Sequence, residues 1–71
     1  MELQAKIIGE RIRMLRTRRN MTQKELAERL NMDQSNITKW KKGENVPSLE
    51  VFFELCSILE VSADYLLGLE D

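Results

Sequence analysis

The chain has 71 residues, one Cys, no His and a formal net charge of -1, with 42% hydrophobic and 32% charged residues. This is one small domain with enough apolar content for a core and enough charge for a solvated surface. A disulfide framework is excluded and a zinc site nearly so, and MELQAKIIGERIR holds no apolar run long enough for a signal peptide or a membrane span. A cytoplasmic protein with no metal, no cofactor and no membrane partner is expected.

The spacing of apolar residues predicts five helices and no strands. Ile8, Ile12 and Leu15 recur at helical intervals, so the first helix runs from near Leu3 to Arg19 and Asn20 ends it. Thr22-Gln23-Lys24-Glu25 is a capping-box pattern opening a second helix, with Leu26, Ala27 and Leu30 on its buried face. Asn31 suits the left-handed turn that follows. Asp33 caps a third helix that stops at Gly43. After a loop over Glu44 to Pro47, Ser48 caps a fourth helix carrying Leu49, Phe52, Leu55, Cys56 and Leu59, widened by Val51 and Ile58. Glu50, Glu54 and Ser57 leave only a narrow polar strip there, so this helix is expected at the centre of the bundle, with Cys56 as a small buried hydrophobe. Ser62 caps a short fifth helix with Tyr65, Leu66, Leu67 and Leu69. Tyr65 is expected in the core or at a dimer edge, and Leu67 either packs on the first helix or extends an apolar patch.

The net charge conceals a split. Residues 1–42 hold all 11 Lys and Arg against five acids, giving +6, whereas residues 43–71 hold seven acids and no base, giving -7. A polyanion responds to the nearby field rather than to the total. A helical domain with oppositely charged ends is the alternative meaning of the same split. Arg11, Arg13, Arg16, Arg18 and Arg19 spread around the first helix. Most are expected on a solvated face, with partners among the C-terminal acids.

The third helix separates cleanly at about 100° per residue. Ile37 and Trp40 fall together and face inward, where Met32 can join them. Ser35, Thr38, Lys39 and Lys42 lie opposite, flanked by Gln34 and Asn36. Ser, Asn and Thr are poor helix formers, each costing roughly half a kcal/mol against Ala, so an outward face built from them suggests a use. Gln and Asn can pair with adenine, Lys with guanine, and Ser or Thr with several base edges.

QKELAERLNMDQSNITKW, from Gln23 to Trp40, resembles the helix-turn-helix of the Cro and phage-repressor-like family, also called XRE-type. The matching positions are Gln23, the inward Leu26 and Leu30, the small Ala27, the turn at Asn31, Met32, and the knobs Ile37 and Trp40. The likeness extends upstream through IGERIRMLRTRRNMTQ and downstream through KKGENVPSLEVFFELCSILEVSADYLLGL. It implies an all-α, compact five-helix lambda-repressor-like DNA-binding domain over residues 1–71, its helix-turn-helix formed by helices 2 and 3 at about residues 22–42. The implied partners are double-stranded operator DNA and a second copy of the chain, in a transcriptional regulator, most simply a repressor. By family position Gln34 and Ser35 lead as base readers, followed by Thr38 and Lys39. Thr22 and Gln23 sit where helix N–H groups favour phosphate, and Gln23 is placed to brace Gln34. Asn36, Lys42 and Asn45 are expected to position the backbone.

Two positions depart from the family pattern. Asn31 stands where Gly is common. Lys41 stands where the family often has a Glu paired with the Arg equivalent to Arg16. The sequence then leaves Arg16 either to another acid or, with Lys41, to solvent or DNA. With no His, Gly-rich phosphate loop, nucleophile motif or metal spacing, catalysis is not expected. A protein-interaction module, such as an antitoxin or regulatory partner, is the alternative function.

Overall fold

A computed structural model of the protein describes residues 3–70. Five helices follow in order: α1 over Ala5–Arg18, α2 over Gln23–Arg29, α3 over Gln34–Lys42, α4 over Leu49–Leu59 and α5 over Ala63–Leu66. No strand occurs among the described residues. No described helix is long and apolar enough to cross a membrane.

Local chemistry sets the helix boundaries. Thr22 and Glu25 form the reciprocal capping box, the Thr22 hydroxyl accepting from Glu25 N–H and the Glu25 carboxylate from Thr22 N–H, both at 3.0 Å. Asp33 accepts from Ser35 N–H at 2.8 Å, Ser48 from Val51 N–H at 3.2 Å and Ser62 from Tyr65 N–H at 3.1 Å. Each satisfies one of the amide donors that a helix start leaves open. Asn20 and Asn31 take positive φ of 55° and 56° just past α1 and α2. In both turns the next N–H reaches back to a helical carbonyl, Met21 to Arg16 and Met32 to Ala27, each at 3.0 Å. The end of α4 repeats the device with Glu60 at φ 52°, a left-handed residue without glycine's or asparagine's tolerance.

The core joins all five helices. Ile8 and Ile12 of α1, Leu26 and Ala27 of α2, Ile37 and Trp40 of α3, Leu55 and Leu59 of α4 and Leu66 of α5 are all buried. Contact between α1 and α3 is the most extensive in the fold. Gly9 permits it, since a Cβ there would overlap the Trp40 carbonyl and crowd Lys41 N at 3.1 Å. The two helices therefore cross backbone to backbone.

Several expectations need correction. The first helix begins at Ala5, and Leu3 is exposed ahead of it. The fourth helix is peripheral rather than central. Only Leu55 and Leu59 of α4 are buried, while Leu49 is 85% and Phe53 76% exposed. The α1–α3 contact has taken the centre, so α4 covers one flank, with Val51, Phe52, Cys56 and Ile58 half-buried against the core and Leu49 and Phe53 facing outward. Cys56 is half-buried, and burial pushes its thiol pKa up. The fifth helix is a single turn, with Leu67 packed against the core and Leu69 exposed beyond it. Arg16 takes neither outcome left to it. Its Nη1 donates to the Met21 carbonyl at 2.9 Å, while Lys41 stays exposed.

The two charged halves meet at few points. Arg19 pairs with Glu60 at 2.9 Å, as expected of a first-helix Arg, though the pair is exposed and worth little. Arg11 chooses differently. Its guanidinium lies 4.3 Å from the Tyr65 ring centroid and donates to the Tyr65 and Glu70 carbonyls, both at 2.6 Å. Arg11 thus ties the C-terminal segment to α1.

Candidate nucleic-acid interface

Ile37 and Trp40, 4% and 3% exposed, fix the rotation of α3 about its own axis. What they do not bury points outward. Gln34, Ser35, Lys39, Lys41 and Lys42 are exposed along α3, and Asn45 is exposed in the loop after it. Asn36 and Thr38 are half-buried on its flanks. Lys39, Lys41 and Lys42 fall in the last turn of α3, where cations favour the helix dipole.

The start of α3 is capped by its own side chains. Asp33 accepts from Ser35 N–H, and this bond keeps the Asp33 carboxyl below its ordinary pKa. Asn36 turns its amide back to the Asp33 carbonyl at 3.3 Å. Gly43, at φ 75°, closes the other end with its N–H bonded to the Trp40 carbonyl at 2.9 Å. Against a helix so fixed, the free side chains keep a defined spacing.

The expected side chains differ in what they leave available. No intramolecular hydrogen bond occupies the side chains of Gln34, Ser35, Lys39 or Lys42 among the described residues. Thr38 is engaged: Gln23 Nε2 donates to its Oγ1 at 2.6 Å, and the same Nε2 lies 3.4 Å from the Gln34 carbonyl. Gln23 therefore braces α3 as expected, but through the Thr38 hydroxyl and the Gln34 backbone. At the start of α2, the Thr22 hydroxyl accepts within the capping box and keeps its own proton to donate. The Glu25 carboxylate caps the same turn, and its bond to Thr22 N–H lowers its pKa.

Three contributors escaped the sequence reading. Gly9 sets the depth of α3, and its signal was a glycine inside an amphipathic helix beside the core residue Ile8. Lys41 adds a third cation to the end of α3; the sequence shows it only as a departure from the family pattern, left with Arg16 to solvent or DNA, and not as a site residue. The Gln23–Thr38 bond links side chains 15 residues apart, and no local pattern announces it.

A family model described as helix-turn-helix matches residues 12–66. The HTH-type transcriptional regulator ImmR of Bacillus subtilis (strain 168) is 33% identical over 64 residues, which cover 90% of this chain and 50% of that protein. The HTH-type transcriptional regulator DicA of Escherichia coli (strain K12) is 35% identical over 72 residues, 100% of this chain and 53% of that protein. The chain thus spans about half the length of these two relatives. Among solved structures, the P22 c2 repressor protein in complex with synthetic operator 9T superposes with a TM-score of 0.82 at 30% identity, over 99% of this chain and 100% of that one.

Proposed function

The chain belongs to the helix-turn-helix family, and from that premise we propose that it is a sequence-specific double-stranded DNA-binding transcriptional regulator acting as a repressor. The observation that carries this reading is the outward row of Gln34, Ser35 and Lys39, whose side chains no group of the described residues occupies, on a helix locked by Ile37 and Trp40. Entered N-terminus first into a major groove, α3 offers Gln34 to adenine, Ser35 to several edges and Lys39 to guanine. Thr22 donates its hydroxyl proton to a phosphate, and Gln23 adds its backbone N–H in the first turn of α2. Lys42 and Asn45 hold the backbone beyond α3, and Asn36 steadies its first turn. Repression follows the P22 c2 likeness.

In this reading the chain works in the cytoplasm, without a cofactor, as a homodimer on a pseudo-palindromic operator. The exposed Leu49 and Phe53, four residues apart on α4, supply apolar surface for contact with a second copy. The same two residues support the second reading, a protein-interaction module. The two readings separate in a duplex titration at rising salt. A DNA reader loses affinity steeply as counterions are released. Lys42→Ala is expected to weaken all sequences alike and lower the salt slope by about 1. Gln34→Ala is expected to cost about 1–3 kcal/mol and to relax preference at one base pair. Weak binding that ignores salt would favour the interaction module.

A further inference from the structure

Asp33 caps α3 with half of its carboxylate. Its Oδ1 accepts from Ser35 N–H at 2.8 Å, which folds the side chain back beneath the first turn, onto the leading end of the helix. The other oxygen takes no hydrogen bond or ion pair among the described residues, and the residue is exposed. Asn36 reaches only the Asp33 backbone carbonyl, at 3.3 Å. From Asn31 to Gly43 Asp33 is the only acid, against three Lys. Ser or Asn caps a helix about as well as Asp. A carboxylate adds attraction to the helix dipole, but before a polyanion it also adds repulsion. The cap therefore explains one oxygen of Asp33 and leaves the other, with its charge, free at the tip of α3.

We propose that Asp33 is a specificity-determining residue, its free oxygen accepting from the N4 amine of a cytosine in the major groove. The proposal rests on the DNA-binding function given above, in which α3 enters the groove N-terminus first. An ionised carboxylate has acceptors and no donor. The bond from Ser35 N–H keeps the Asp33 carboxyl below its ordinary pKa, so it is charged at neutral pH. Phosphates repel it. So do guanine, which shows N7 and O6, and thymine, which shows O4. Adenine offers N6 but sets the N7 acceptor beside it, whereas cytosine shows only its N4 donor on that edge. Asp33 works mainly by exclusion, because a wrong base leaves its charge facing acceptors. Gln34 differs, since an amide both donates and accepts.

Asp33→Asn supplies the test. Its amide oxygen keeps the bond from Ser35 N–H, which turns the Nδ2 donor to where Asp33 holds its free acceptor. Asp33→Ser keeps a cap and presents no second group. Affinities are compared at fixed salt on duplexes substituted one base pair at a time, as ratios that cancel any uniform gain from removing a charge. The unsubstituted protein is expected to prefer cytosine at one position by about tenfold over guanine or thymine. Asp33→Asn is expected to turn that position to guanine or thymine, and Asp33→Ser to level it, with the preference set by Gln34 kept in both. A uniform gain in affinity with every base preference unchanged would overturn the proposal and leave Asp33 as a cap alone. N4-methylcytosine at that position, which blocks the groove-facing N–H, is expected to cost the unsubstituted protein about tenfold. Indifference to it would also overturn the proposal, and this arm stands even if neither variant folds. A protein with no preference at any base pair would instead overturn the DNA-binding function itself.

Discussion

Helices α3 and α4 invert one another. Of the nine residues of α3 only two are apolar, and both are buried. Of the eleven residues of α4 eight are apolar; Leu55 and Leu59 are buried, Val51, Phe52, Cys56 and Ile58 are half-buried against the core, and Leu49 and Phe53 are exposed. Apolar content therefore does not locate the centre of this fold. The centre belongs to the helix whose backbone meets α1 at a glycine. Surplus is the better guide to use: α3 carries polar groups beyond what solubility asks, and α4 carries apolar groups beyond what its core contact asks. The first surplus suits a base edge and the second a protein surface.

The sharpest way to break this contrast is to truncate each helix in turn. Trp40→Ala is expected to cost about 4 kcal/mol in thermal or denaturant unfolding, the range for a buried aromatic. Phe53→Ala, at an exposed site, is expected to stay within about 0.5 kcal/mol. Similar losses would mean that α4 carries more of the core than its burial shows. Gly9→Ala comes next, at about 3 kcal/mol by the same measurement, because the added methyl meets backbone that cannot rotate away. A neutral result would show that α1 and α3 separate easily. The smallest effect concerns the caps. Glu25 and Asp33 both have lowered carboxyl pKa values in the fold, each through a backbone N–H bond. Their stabilisation is full above the unfolded carboxyl range, about pH 4, and is lost as pH falls through the lowered folded values. Asp33→Asn keeps a good cap and is expected to flatten that acid limb slightly with little change at neutral pH.

The helix starts were legible in the sequence because a cap is local. Thr22, Asp33, Ser48 and Ser62 each act on an N–H two or three residues away. The inward pair Ile37 and Trp40 was legible from helical period alone, and so was the exposure of Ser35, Lys39 and Lys42, whereas Thr38, expected in the outward row, sits half-buried on a flank. The place of α4 was not, because periodicity reports which residues share a face and says nothing of what covers that face. Arg16 was misjudged for a related reason. Its partner was sought among acids, solvent or DNA, while the Met21 carbonyl, brought near by the turn at Asn20, accepts from its Nη1 and leaves its Nε buried without a partner among the described residues. The Gln23–Thr38 bond depends on how closely α2 and α3 approach, which only the fold fixes. Of the candidate site, the exposure of Gln34, Ser35, Lys39 and Lys42 was readable, and the division between free and occupied groups was not.

The central claim, that the free face of α3 reads DNA sequence, is tested most directly by selection from a random duplex pool at moderate salt. The account predicts one enriched motif with two half-sites about one helical turn apart, its preference at one base pair of each half-site lost in Gln34→Ala. A pool that enriches no motif would contradict it.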